Sequence, residues 1–324
     1  MIIPCLNEAR NIRPCLESLA AQDYPEEFEI IVVDNGSLDR TRDIVSEWAG
    51  SDPRIRLISE SKKGTASARN AGVRNAAHDF LAFIDADCEA PPGWLSTLVK
   101  GYQAAKIRDS NVIAAGGRNI APADARPFVK AIEIALDSYL GSYTSIQGRQ
   151  YRRPVFVRNL SMSNALFEKA KVVEAGYFDE SLRSEAEDAE LNFHLAEAGY
   201  RLLFIPESYV WHRLRSSPIL WLKNMFRYGK GRARLLKRHA RMWNIHFALP
   251  LVFLLALASV PLAAFSRLFF LPLLYFPFVL GVSVIQAVRK KAPYLFGTVA
   301  AVFLLLHFGY AAGEFYGLLN PKVR

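Results

Sequence analysis

Continuous apolar runs alternate with stretches of helical spacing along the first part of the chain. Met1–Pro4, Phe28–Val33, Ile55–Ser59 and Asp79–Ile84 read as strands, the second and fourth mostly apolar, as buried strands are. Between them Ile12, Cys15, Leu16 and Leu19 recur at helical spacing, a helix opens at Asp39 or Thr41 and runs through Trp48, and another covers about Ser67–Ala76. Strands alternating with helices predict an α/β domain built on a doubly wound, mostly parallel sheet. Ligands bind beyond the carboxyl ends of the strands in such sheets. Pro4–Glu8, Asp34–Ser37, Lys62–Arg69 and Asp85–Asp87 all fall at those ends.

The pattern loosens further on. Gly116–Asn119 follows a short apolar strand, as an acceptor-side loop or as a plain turn, and residues 121–158 show no clear period. A helix is expected around Glu168–Ala175. Acids crowd Glu185–Glu190, where a helix dipole favours negative charge, and Leu191, Leu195 and Ala198 form an apolar stripe ended by Gly199. Another apolar stretch, Arg201–Ile205, precedes Trp211-His212-Arg213. Ile219–Arg241 mixes Leu, Trp, Phe and Met with eight Lys/Arg and no acid, which predicts an amphipathic helix lying among lipid headgroups. Three uncharged runs of 21 residues follow, Ile245–Phe265, Leu268–Val288 and Pro293–Gly313. About 20 apolar residues cross a bilayer as a helix, so three spans are expected. The middle one, with Pro272 and Pro277, either spans or re-enters. The resulting division is 1–212 for the α/β domain, 213–243 for the interface region and 244–324 for the membrane domain.

Charge sharpens this division. The formal net charge of +9 splits into −6 over residues 1–207 and +15 over residues 208–324, where Glu314 is the sole acid. An acidic front argues against a nucleic-acid partner; a basic, apolar rear suits membrane lipids. Met1 opens directly on Ile2-Ile3-Pro4 without a signal peptide, and Arg289-Lys290-Lys291 follows the second run, so the front domain is expected on the cytoplasmic side of a multi-pass plasma-membrane protein. Cys5, Cys15 and Cys88 are too few and too scattered for a zinc site and read as small buried residues.

The chemistry starts at Phe83-Ile84-Asp85-Ala86-Asp87. Alternate residues of an extended segment point the same way, so Asp85 and Asp87 can face one ligand. Two carboxylates so placed repel unless a cation joins them, and hard divalent ions favour such oxygen donors together with substrate phosphates. A solvated turn is the plain alternative; four polar strand ends converging on one crevice argue against it.

The motifs Ile2-Ile3-Pro4-x-x-Asn7-Glu8, Val32-Val33-Asp34-Asn35-Gly36-Ser37-x-Asp39-x-Thr41, Ala68-Arg69-Asn70-x-Gly72 and Ile84-Asp85-Ala86-Asp87 resemble, in order and spacing, those of the inverting family 2 glycosyltransferases of the GT-A type. The G-x-G-x-x-G dinucleotide fingerprint is absent. The resemblance implies a nucleotide-sugar donor, usually a UDP-sugar, and a divalent cation, Mn2+ or Mg2+. It implies that Pro4, Asn7, Glu8, Asp34 and Ala86 border the nucleotide, that Arg69 meets the diphosphate near a helix start, that Asp85 faces the ribose and metal-bound water, and that Asp87 ligates the metal. Each has a structural alternative, capping or turn formation for Asn7 and Asp34 and an exposed helix cation for Arg69.

Glu187-Asp188-Ala189-Glu190-Leu191 is similar to the family's Glu-Asp-x-x-Leu, which implies Asp188 as general base with Glu187 beside it. Gly176-Tyr177-Phe178-Asp179-Glu180 departs from the usual Gly-Gly-Phe-Asp-Glu at Tyr177. A histidine at the place of His212 joins the metal or diphosphate in some relatives; a lone histidine is otherwise structural. Asn224-Met225-Phe226-Arg227-Tyr228 resembles a degenerate Gln-x-x-Arg-Trp motif, which puts Asn224, Arg227 and Tyr228 near the acceptor. Phe226-Arg227-Tyr228-Gly229-Lys230, taken with Glu187–Phe193, resembles the succinoglycan-type membrane glucosyltransferases, which implies a lipid-linked saccharide as acceptor. A polyprenyl-phosphate sugar transferase and a catalytically dead, membrane-tethered nucleotide-binding module remain as alternatives.

Overall fold

The computed structural model describes residues 1–142, 149, 151–213, 217–243 and 245–320. The chain divides into two compact units, one of residues 1–122 and 146–213, the other of residues 123–145 and 214–324.

In the first unit the described residues form one mixed sheet of nine strands: β1 (Ile2–Cys5), β2 (Ile30–Asp34), β3 (Ile55–Ser59), β4 (Phe80–Phe83), β5 (Cys88–Glu89), β6 (Val112–Ile120), β7 (Val155–Val157), β8 (Ala165–Glu168) and β9 (Arg201–His212). The order is β3-β2-β1-β4-β8-β6-β9-β5, with β7 paired to β9. The first four run parallel; β8 is antiparallel to both β4 and β6. Side chains alternate across the sheet as strand geometry requires. Ile3, Ile30 and Val32 enter one core with Ile12, Leu16 and Trp94; Ile2, Ile31 and Val33 enter the other with Phe83, Phe167, Phe178 and Leu191. Both faces are covered, which is why β2 reads as an unbroken apolar run.

The first helices and strands fall where the hydrophobic pattern predicts, but several elements do not. The third helix begins at Thr65, two residues early. Gly116–Asn119 is neither turn nor loop but part of β6, where a Cβ on Gly117 would run into the Ser208 backbone of the adjoining strand. β9 runs twelve residues, through Pro206 and Glu207, well past the apolar stretch that announces it.

Register aligns the carboxyl ends of the parallel strands. Cys5 lies opposite Asp34, and Asp34 opposite Ser59, so the loops beyond them leave side by side. Gly64 makes one of these loops possible. Its φ of +129° is a glycine conformation, and a Cβ there would lie 2.8 Å from the Arg183 Cα. Gly64→Ala is therefore expected to cost about 2–3 kcal/mol, read as a lowered thermal unfolding midpoint; an unchanged midpoint would contradict the close approach.

The second unit is helical. The helices Pro218–Arg238 and Phe296–Leu319 pack backbone to backbone. Gly309, Gly313 and Gly317 recur every fourth residue along one side, and a Cβ on Gly313 would collide with the Phe226 carbonyl, as one on Gly229 would with that of Tyr310. Small residues at this spacing let membrane helices approach closely. Residues 123–145, counted from the sequence with the α/β domain, contribute the helix Pro127–Leu136 here, tied down by an Asp137–Lys290 ion pair of 2.6 Å. Two segments, Arg267–Arg289 and Pro293–Leu319, are long and apolar enough to cross a membrane. The run Ile245–Phe265, expected as a third span, is instead a 14-residue helix, Ile245–Ala258, followed by a 3-10 turn. At about 1.5 Å per residue it falls short of a hydrocarbon core about 30 Å thick.

Candidate functional site

The loops beyond β1 and β2 are stitched together. Asn7 has φ of 58°, and its Oδ1 accepts the Leu38 N–H at 2.8 Å while its own N–H donates to Ser37 Oγ at 2.9 Å. The Glu8 N–H donates to Thr41 Oγ1 at 2.8 Å. Asp34, 1 % exposed, accepts the N–H groups of Gly36 at 3.2 Å and Ser37 at 3.1 Å, and Arg42 Nη1 stands 3.4 Å away. Asn35 carries the order onward: its amide donates to the carbonyls of Glu60 and Lys62, and its Oδ1 accepts the Gly64 N–H at 2.7 Å. Pro4 lies within β1 opposite Val33, and Ala86 is buried between the two aspartates.

Asp85 and Asp87 leave the end of β4 in a turn closed by the Cys88 N–H on the Asp85 carbonyl at 3.0 Å. They face different partners. Arg69 Nη2 lies 3.0 Å from Asp85 Oδ1. His212 Nε2 lies 3.3 Å from Asp87 Oδ1, because β5 pairs antiparallel with the far end of β9 and sets Cys88 opposite His212.

The donor set formed by Asp87 and His212 fits a divalent ion that accepts oxygen and imidazole ligands, while Asp85 is paired with Arg69. The ligand atoms of Asp87, Cys88 and His212 lie within 4.8 Å of one another. Burial, reinforced by Asp87 and Asp85, pushes the Cys88 thiol well above its ordinary range.

The second guanidinium nitrogen of Arg69 reaches Glu187 Oε1 at 2.7 Å. Arg69 and Glu187 are both buried, 5 % and 6 % exposed. Burial would pull Arg69 down, but Asp85, Glu187 and Asp188 together raise it above its usual value, so the cation is secure. Burial pushes the Glu187 carboxyl up to about 7; Arg69 opposes this, and Asp188 and Asp85 add to it. Asp188, half-buried in the first turn of the helix Glu187–Glu197, turns its Oδ1 to the Ala189 N–H at 2.8 Å. One arginine thus joins two acidic motifs 102 residues apart in sequence (Asp85 to Glu187), and its guanidinium meets carboxylates at the place where the resemblance expects a diphosphate.

Asn224, Arg227 and Tyr228 belong to the second unit, on the helix Pro218–Arg238, where Arg227 Nη2 donates to Asn224 Oδ1 at 2.7 Å. Two further residues, whose contacts no local pattern announces, hold these loops in place. Lys63 Nζ donates to the Asn35 carbonyl at 2.9 Å, and Asn70 holds Phe178 through both its N–H (3.0 Å) and its carbonyl (2.9 Å). Asn70 was visible within its motif, but its partner lies 108 residues away.

A mixed α/β sheet with its polar loops gathered beyond the parallel strands, and an Asp-x-Asp turn at their centre, is the architecture of the GT-A glycosyltransferases. The chain belongs to glycosyl transferase family 2, whose model matches residues 1–167. It is 30% identical over its whole length to the succinoglycan biosynthesis protein ExoA of Rhizobium meliloti, covering 96% of that protein. It is 24% identical, over 99% of this chain and 97% of the relative, to a dolichyl N-acetyl-alpha-D-glucosaminyl phosphate 3-beta-D-2,3-diacetamido-2,3-dideoxy-beta-D-glucuronosyltransferase of Methanococcus voltae. Among solved structures it resembles a mannosyltransferase of Pyrobaculum calidifontis in complex with GDP-Man and Mn2+, with a TM-score of 0.63, 20% identity, and coverage of 94% of this chain and 85% of that one. That likeness shows the fold.

Proposed function

We propose that this family 2 glycosyltransferase moves a sugar from a nucleoside-diphosphate donor, a UDP-sugar, to a lipid-linked saccharide in polysaccharide or glycan synthesis, with inversion at the anomeric carbon. The observation that carries the reading is the Asp85–Arg69–Glu187 bridge, which brings the strand-end acids and the Glu187-Asp188 pair to one crevice. Asp34 and the loop of Asn7 and Glu8 border the nucleotide. Asp188 takes the proton from an acceptor hydroxyl as the oxygen attacks the face opposite the leaving nucleoside diphosphate. A single displacement follows, with no sugar–enzyme bond. A divalent cation, Mn2+ or Mg2+, would be held by Asp87 and His212 with Asp85 beside them, and would supply Lewis-acid stabilisation of the charge gathering on the diphosphate.

The lipid-linked acceptor is supported by the two apolar segments, by the basic helix Pro218–Arg238, and by the dolichyl N-acetyl-alpha-D-glucosaminyl phosphate, a lipid-linked sugar, in the name of the archaeal relative. The catalytic unit then works at the cytoplasmic face of the membrane, where the cationic helix meets anionic headgroups.

Purified protein supplied with radiolabelled nucleotide-sugars, membrane lipid extract and Mn2+ is expected to move label from at least one UDP-sugar into the lipid phase. Label that stays with the donor for every nucleotide-sugar, with no hydrolysis either, would favour the catalytically silent binding module.

A further inference from the structure

The helix Thr65–Asn75 touches the stretch from Phe178 to Glu187 at each of its turns. The Thr65 N–H donates to Ser184 Oγ at 3.1 Å and the Ala66 N–H to the Arg183 carbonyl at 2.8 Å. One turn later come the Arg69–Glu187 ion pair and the Asn70 bonds to Phe178, and Asn70 Nδ2 also reaches Glu180 Oε1 at 2.9 Å. The stretch they hold does not fold that way by preference. Tyr177, Arg183 and Ala186 take φ of 67°, 58° and 66°, a left-handed region that side chains other than glycine disfavour. Such residues persist where their surroundings over-determine them. Ala186 immediately precedes Glu187 and Asp188, so its backbone aims both carboxylates.

We propose that Arg69 is a positioning residue for the transfer step: its guanidinium spans Asp85 and Glu187 and so locks the Ala186 turn with Asp188 directed at the donor side. This rests on the reading of Asp188 as the base. Arginine suits the task because its planar fork holds two carboxylates at a fixed separation, which the single ammonium of lysine cannot do. The helix end itself is already engaged, since its first two N–H groups serve Ser184 and Arg183. Both terminal nitrogens of Arg69 are likewise held by carboxylates, so in this reading it acts through the Glu187-Asp188 turn and not as a ligand of the diphosphate.

The test compares wild type, Arg69→Lys and Arg69→Gln in the full chain by hydrogen exchange, by UDP binding in Mn2+ and by turnover at saturating donor. Arg69→Gln is expected to speed amide exchange across residues 183–190 at least tenfold while the strands β1 to β4 stay protected, and Arg69→Lys to recover part of that protection. Turnover should fall about 10²-fold, the size of loss that a displacement of roughly 1 Å brings, with UDP affinity kept within about threefold. Unchanged exchange in residues 183–190 overturns the proposal. So does a tenfold loss of UDP affinity with turnover retained, which would make Arg69 a diphosphate ligand. If Arg69→Gln does not fold, Glu187→Ala removes the same contact from the other end and should loosen the same amides. A wild type that binds no UDP sinks the donor reading alone, and the exchange data still decide the role of Arg69.

Discussion

Asp188→Asn is expected to lose turnover by about 10²–10⁴-fold, the usual worth of general-base assistance, while binding UDP as the wild type does. The substitution is nearly isosteric. Its amide oxygen can still accept the Ala189 N–H that Asp188 Oδ1 accepts at 2.8 Å, so the start of the helix should survive. What disappears is a carboxylate able to take a proton. Glu187 cannot replace it, since its Oε1 is committed to Arg69 at 2.7 Å and the side chain is buried. The check is transfer rate at saturating donor alongside UDP titration. Near wild-type turnover would put the base elsewhere. Indifference combined with transfer of sugar onto a bare polyprenyl phosphate would favour the other transferase reading, because a phosphate acceptor is already ionised and needs no strong base.

Asp87→Ala should weaken donor binding in the presence of Mn2+ by at least about tenfold, given that even outer-shell partners of a metal ligand are worth about 10–100-fold. The carboxylate is the group that β5 and β9 set 3.3 Å from His212, and its removal leaves the imidazole without that neighbour. UDP binding measured with and without Mn2+ separates this from a general loss of fold: the variant should match wild type without the metal and gain little when it is added. A manganese dependence equal to that of wild type would remove Asp87 from the metal site.

The parts of the molecule that could be read from the sequence are those encoded locally. β2 is buried on both faces and says so in five consecutive apolar or strand-ending residues; the polar ends of β1 to β4 follow directly from strand and helix alternating. The motifs could place Asp85, Asp87 and Asp188 in chemical roles but not in space. Arg69 shows why. Read beside its own helix it is a cation near a helix start, and only the fold supplies Glu187, 118 residues away, as its partner. β5 is two residues long and exists because β9 lies beside it, so no periodicity could announce it. The same holds for Phe128–Leu140, whose apolar positions pack with helices much later in the chain, as the bond from His307 Nε2 to the Leu140 carbonyl at 2.9 Å illustrates. The run Ile245–Phe265 departs from one continuous helix for a different reason. Absence of charge over 21 residues does not ensure one continuous helix, and this run breaks after Ala258 into a short 3-10 turn that opens on Val260-Pro261.

A structure determined with UDP and Mn2+ bound, with the metal located by its anomalous signal, tests most directly whether a single cavity serves both halves of the reaction. The account predicts a manganese peak at Asp87 and His212 and the Asp188 carboxylate opening onto the cavity that holds the diphosphate. A peak away from Asp87, or an Asp188 turned from the nucleotide with protein filling the space between, would contradict it.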